Sequence, residues 1–264
     1  MSENSSVSPL DRLLVDGFDV CADVHCHCLP AIDDGPNDLD EAVQLCRLLV
    51  RDGMNCVVAS PHQLGKYDLG NSRERIERRL EALRKRLAEL QIPLELAAGA
   101  DVRIDERLPT FVADGTVTTI GDLHRHLLLE LPTTVFCDPT TVIEQLLDRG
   151  VQPIMTHPER HRYLGGNAAI VANWVRAGAV VQVTAGSLVG DFGQFAFDFA
   201  WRLVQHGLVH LVASDAHDSI RRPPRMTAAL KLLTQHAGRP LAARICAQNP
   251  RLVWRGEHIP TAKL

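Results

Sequence analysis

Hydrophobic and polar positions alternate along the chain in two rhythms. Short aliphatic runs at 19–25, 54–60, 94–99, 126–131, 152–156, 179–184 and 208–213 read as strands, bounded by Gly, Pro or polar turns. Between them, apolar residues recur at helical spacing. Over 38–52 the stripe is Leu39, Val43, Leu45, Leu48 and Leu49, with Gly53 as the stop. Over 72–90 it is Ile76, Leu80, Leu83, Leu87 and Leu90. The opposite face of that segment pairs Glu74 with Arg78 and Glu81 with Lys85, a solvated face. Further helices are predicted over 139–149, 167–177, 193–206, 223–237 and 240–248. The connection 101–125 is irregular, with room for one short helix. Residues 1–18 read as a polar extension and 19–264 as one domain, with no internal repeat.

Strands separated by helices predict parallel β/α units. The period alone suits either an open doubly wound sheet or a closed barrel. The placement of polar residues separates the two, because they gather at the C-terminal end of nearly every strand. Barrel strands converge on one mouth at that end, whereas an open sheet converges only near its switch point. The expected fold class is α/β, a distorted TIM-like barrel of about seven strands.

Composition narrows the function. The 264 residues are 45% hydrophobic, enough for a sizeable core. Lys and Arg total 28 against 32 Asp and Glu, a net charge of −4, which argues against nucleic acid as a partner. No apolar run approaches the ~20 residues of a membrane span, so no membrane insertion is expected. The N-terminus lacks the basic start and apolar stretch of an export signal, so a cytoplasmic location is expected. The 7 cysteines are then expected as reduced thiols, each a small buried hydrophobe.

The chemistry lies at the predicted strand ends. The first strand runs into His25-Cys26-His27-Cys28, and alternation puts both histidines on one face. Asp33-Asp34-Gly35-Pro36 follows as a turn. Later strands run into His62, Asp101, Glu130, His157 and the pair Asp215 and His217. A carboxylate such as Glu130 inside LLLELP is costly to bury unless paired or metal-bound. A lone HxH is a weak signal; six strand ends carrying His, Asp or Glu make a strong one. Nine potential ligands (His25, His27, Asp34, His62, Asp101, Glu130, His157, Asp215 and His217) exceed the four to six of one ion and fit two or three. Mixed imidazole and carboxylate donors suit Mn²⁺, Fe²⁺ or Zn²⁺, with Mg²⁺ also in reach. Arg160 and Arg222 follow ligands closely and fit an anion clamp, since Arg holds phosphate through paired hydrogen bonds. His124 and His126, at the other end of their strand, read as surface or supporting residues, and His161, His206, His210, His236 and His258 as ordinary histidines.

DVHCHCLPAIDDGP, SPH, GAD, LELP, MTHPER, VASDAH and RRPP, in this order, resemble the PHP (polymerase and histidinol phosphatase) superfamily. Within it they are most similar to the manganese-dependent protein tyrosine phosphatases of bacterial capsule and exopolysaccharide operons, the CpsB/YwqE type. The resemblance covers about residues 20–254. It implies a distorted (β/α)7 barrel, the nine residues above as ligands of a trinuclear centre, and Arg160 and Arg222 on the phosphate. It also implies a phosphotyrosyl protein substrate, typically the tyrosine-rich tail of a bacterial autokinase. The family usually carries Glu where this chain has Asp101, one methylene shorter. Two alternatives stay open: a PHP phosphatase or nuclease acting on small molecules or nucleic acid, and a degenerate metal-binding barrel with a regulatory role.

Overall fold

The structure, a computed structural model, describes residues 14–15, 18–19, 22–68 and 70–261. Most of the 1–18 extension and Cys21 lie outside the described residues. Leu14–Val15 pairs antiparallel with Phe18–Asp19 ahead of the domain.

Parallel strands carry the fold. They are β1 (Ala22–Cys26), β2 (Cys56–Ala59, resuming at His62–Gln63), β3 (Glu95–Ala98, resuming at Asp101–Arg103), β4 (His126–Glu130), β5 (Gln152–Thr156), β6 (Val180–Thr184) and β7 (Leu211–Ala213). Each pairs with the next in sequence: Ala22 with Cys56, His62 with Asp101, Asp101 with Leu128, His126 with Gln152, Val180 with Ile154, and Gln182 with Leu211. The ring returns from β7 to β1 through one bridge, Cys26 to Ala216. There, the His27 N–H donates to the Ala216 carbonyl and the Asp215 N–H to the His25 carbonyl. Asp23 adds to this seam by accepting from the Ser214 N–H at 3.0 Å. The breaks in β2 and β3 lie side by side. At the second, a Cβ on Gly99 would stand 2.5 Å from Val58 Cγ1, so only glycine allows the two strands to pass so closely.

Helices cover the outside: α1 (Leu39–Arg51), α2 (Arg73–Glu89), α3 (Leu108–Ala113), α4 (Thr140–Leu147), α5 (Ala168–Arg176), α6 (Ala185–Val189), α7 (Gly193–Gln205), α8 (Met226–Ala237), α9 (Arg239–Ala243) and α10 (Asn249–Trp254). Asp38 caps α1 and Ser72 caps α2 through their side chains. The helix expected over 240–248 is instead α9, a wide turn at Arg244–Gln248, and α10. Pro250 cannot donate the N–H that a regular helix would use there. α6 has five residues, too few to show a period, and is absent from the sequence expectation.

Two apolar layers result. The larger lies between strands and helices, and includes Leu127, Leu129 and Met155 from the strands and Leu45, Leu80 and Phe199 from the helices. The smaller gathers Val58, Leu128, Ile154, Val180 and Leu211 with Val253 and Ile259 of the C-terminal segment. The Gln152 side chain fastens that segment, donating to the Ile259 carbonyl and accepting its N–H, both at 2.9 Å. Two residues further along the same strands stand Glu130, Thr156 and Gln182. Period-two alternation thus stacks a polar layer directly on the inner apolar one.

Candidate metal centre

All nine expected ligands meet in that polar layer, at the C-terminal mouth. His27, Asp34, His62 and His217 form one group with donor atoms within 4.8 Å of one another; His25, His27 and Asp101 form a second; His62, Asp101 and Glu130 form a third. The groups share His27, His62 and Asp101. His157 and Asp215 adjoin them. His157 Nε2 is 3.8 Å from Asp101 Oδ2, and Asp215 Oδ1 is 3.5 Å from the Nε2 atoms of both His25 and His27.

Three imidazoles are held by their far nitrogens. His25 Nδ1 pairs with Gln182 Oε1 at 3.0 Å, His27 Nδ1 with Asp33 Oδ2 at 2.7 Å, and His217 Nδ1 with the Asp215 carbonyl at 3.0 Å. Since each partner accepts, each Nδ1 carries the proton and each Nε2 keeps a free lone pair aimed inward. His25 and His27 bring those lone pairs within 3.1 Å of each other. Two of the expected ligands leave ordinary backbone space to reach the mouth: His157 has φ +35° and Asp215 φ +49°.

The charge balance fits cations. Asp101 and Glu130 are buried together, and Asp101 Oδ2 has no hydrogen-bond partner. Burial and the Asp101 charge push the Glu130 carboxyl up to about 9, with Arg103 opposing. Two buried carboxyls side by side, facing imidazole nitrogens whose lone pairs are free, are a donor set that divalent ions satisfy.

The arginines enter from two loops. Arg160 and Arg222 both reach Asp215 Oδ2, Arg222 at 2.7 Å. Beneath them lies Phe192, its ring centroid 4.5 Å from the Arg160 guanidinium carbon and 5.7 Å from that of Arg222. They line a cavity of about 210 Å³ together with His62, Tyr67, Arg103 and Glu130. Arg221 points to solvent, paired with Asp218.

Several contributors escaped the sequence reading. Asp33, taken as turn, orients His27 and also accepts from the His62 N–H at 3.0 Å. Arg103 lies 2.7 Å from Glu130 Oε2. Period two from Asp101 would have put it on the same face. Glu159 of the HPER run accepts from the Thr184 N–H and the Ser187 hydroxyl, pinning the loop that carries Arg160. His161 is buried, its ring stacked on Tyr163 and 5.7 Å from that of His157. His126 and His210 are buried as well. The six described cysteines form no disulfide with one another, and Cys26, Cys28, Cys46 and Cys246 are buried as expected; Cys56 and Cys137 are partly exposed.

A ring of parallel β/α units gathering imidazoles and carboxylates at its C-terminal mouth places the protein among barrel-type metallohydrolases. More narrowly, the chain belongs to the capsular polysaccharide synthesis family CpsB/CapC, whose pattern matches residues 21–255. It is 34% identical over 242 residues to the tyrosine-protein phosphatase YwqE of Bacillus subtilis, covering 90% of this chain and 92% of that protein. It is 26% identical over 238 residues to the tyrosine-protein phosphatase CpsB of Streptococcus pneumoniae, covering 88% and 97%. Among solved structures it matches one from work on YwqE and CpsB, described as unique metal-dependent tyrosine phosphatases. The TM-score is 0.87 at 32% identity, over 92% of this chain and 97% of that one.

Proposed function

We propose that the protein is a metal-dependent phosphomonoesterase that hydrolyses phosphotyrosine in proteins. The observation that carries this is the junction of three overlapping ligand groups with two arginines on one small cavity. His25, His27, Asp34, His62, Asp101, Glu130, His157, Asp215 and His217 would hold two or three divalent ions, Mn²⁺ foremost on the resemblance. Ions held there would supply Lewis acidity to activate water near neutral pH and to offset charge on the phosphoryl oxygens. The chain's own residues do the rest. Arg160 and Arg222, steadied on Phe192, clamp the phosphate with charge-assisted hydrogen bonds. Gln182, Asp33 and the Asp215 carbonyl keep three imidazoles in one tautomer. Arg103 offsets the charge of Glu130. No Cys-x5-Arg loop occurs in the sequence, so no cysteine serves as the nucleophile.

The physiological partner in this reading is the tyrosine-rich tail of a bacterial autokinase, and the location is cytoplasmic. No helix among the described residues is long and apolar enough to cross a membrane. The test compares phosphotyrosyl peptide with histidinol phosphate as substrates of the Mn²⁺-loaded protein. Faster turnover of the peptide, abolished by chelation and restored by Mn²⁺, is expected. Preference for histidinol phosphate would move the protein to the small-molecule branch, and activity resistant to chelation would refute the metal chemistry.

A further inference from the structure

Four large hydrophobic side chains stand exposed among the described residues: Leu123, Val135, Phe136 and Ile220. Leu123 precedes β4, at the foot of the ring. The other three sit on loops that also line the cavity at the mouth: Val135 and Phe136 follow Thr133, and Ile220 stands two residues before Arg222. The loops that carry them follow β4 and β7, which are not neighbours in the ring. Val135 is 59% exposed and Ile220 85%. Phe136 is seated, its ring meeting Tyr163 edge-on at 6.0 Å. Single exposed apolar residues need no explanation. Three of four carried on two separate loops that line one cavity do.

We propose that Val135 and Phe136 on one side, and Ile220 on the other, dock the substrate polypeptide. The phosphotyrosine enters between them, and apolar residues flanking it rest on the two patches. The inference builds on the phosphotyrosine reading above. The cavity, at about 210 Å³, has room for a phosphoryl group and its ring but not for neighbouring residues, which must lie on the rim. Charge complementarity fixes the centre of the occupant, since Arg160 and Arg222 face a dianion. In an extended segment alternate side chains share a face. Residues two before and two after the phosphotyrosine therefore turn towards the protein with it, and these are the positions expected to be apolar.

The experiment uses two phosphotyrosyl peptides that differ only there, one with Leu at both positions and one with Ser. Each is assayed as a substrate of the Mn²⁺-loaded full chain. Each is also measured for binding as a fluorescent phosphonate analogue that cannot be hydrolysed. The Leu peptide should bind, and show KM, about tenfold better. The triple variant Val135→Ser, Phe136→Ser, Ile220→Ser should lose about tenfold in affinity for it, erasing the difference. Turnover of p-nitrophenyl phosphate should stay as in the parent. Equal affinities for both peptides in the parent, or a Leu preference that survives in the variant, would overturn the docking surface. So would self-association of the chain that the triple variant abolishes while peptide affinity holds, since the patches would then face a second copy. Failure of the phosphatase reading would look different: no metal-dependent turnover of p-nitrophenyl phosphate by the parent, whatever the analogue affinities.

Discussion

Asp33→Asn tests whether a residue outside the ligand set governs the metal affinity. The Asp33 carboxylate accepts three hydrogen bonds: Oδ2 from His27 Nδ1 at 2.7 Å and from the His62 N–H at 3.0 Å, and Oδ1 from the Gly35 N–H at 3.0 Å. Asparagine has the same size but one acceptor oxygen. If the amide oxygen faces His27 and His62, the NH₂ group confronts the Gly35 N–H. If it faces Gly35, the NH₂ confronts His27, which must then surrender its Nδ1 proton and move it to Nε2, the atom meant for metal. Either way a charge-assisted bond is lost, worth about 1.5–3 kcal/mol. Partners that orient metal-bound imidazoles typically govern 10–100-fold in affinity, about 1.4–2.7 kcal/mol, so the two routes agree. Calorimetric titration of Mn²⁺ into stripped protein should show at least one site weakened by one to two orders of magnitude. The Asp33→Asn variant binding Mn²⁺ with the parent's affinity and stoichiometry would refute the orienting role.

Arg160→Ala and Arg222→Ala should each lower kcat/KM on phosphotyrosyl peptide by about ten- to a hundredfold with metal content unchanged; parental kinetics in both would mean the phosphate is held elsewhere. Gly35→Ala should destabilise the fold by about 1–3 kcal/mol or more, because the new Cβ would stand 2.3 Å from the rigid His27 carbonyl oxygen; chemical denaturation checks it, and unchanged stability would disprove the close approach. Stability should also fall as pH drops from about 6.5 towards 4. Burial lowers His126 and His210 from 6.5 to about 4, so below 6.5 the unfolded chain takes up protons that the folded chain refuses. Each shift is worth roughly 3 kcal/mol at full effect. His210→Gln should flatten the profile, and a parent whose stability at pH 4.5 equals that at pH 7 would contradict it.

The fold was legible because each β/α unit repeats one local pattern. β5 appears at the very residues its aliphatic run marks, 152–156, and α2 within one residue of each expected end. Legibility fell where tertiary contacts overrode the local pattern. The breaks in β2 and β3 arise from two strands crowding at Gly99, and no single-segment period encodes that. For the site, the spacing of His, Asp and Glu at strand ends located all nine convergent residues. It could not find those that act by reaching across elements. Gln182 lies on β6, Phe192 between α6 and α7, and each meets a partner distant in sequence. It also missed the reversal of the backbone at His157 and Asp215, which carry no glycine to announce a positive φ.

Asp101 raised the question of whether this barrel is a working site or a relic, since the resembled family places a longer carboxylate there. The geometry bears on it directly. Asp101 is fully buried, on the resumed half of β3, where the strand passes Gly99 and presses against β2. From there Oδ2 stands 3.6 Å from His25 Nε2, 3.5 Å from His62 Nδ1 and 3.8 Å from His157 Nε2. Oδ1 accepts from the Thr156 hydroxyl at 3.1 Å, which fixes the direction of Oδ2. A carboxylate too short for its task would fall away from the ligands it should join. This one belongs to two of the three groups and links them. Burying such a charge without a protein cation against its free oxygen is costly unless a metal ion offsets it. The Asp101 charge and the imidazoles that converge on its free oxygen are thus the donor set expected of a metal centre, and the shorter side chain reaches it.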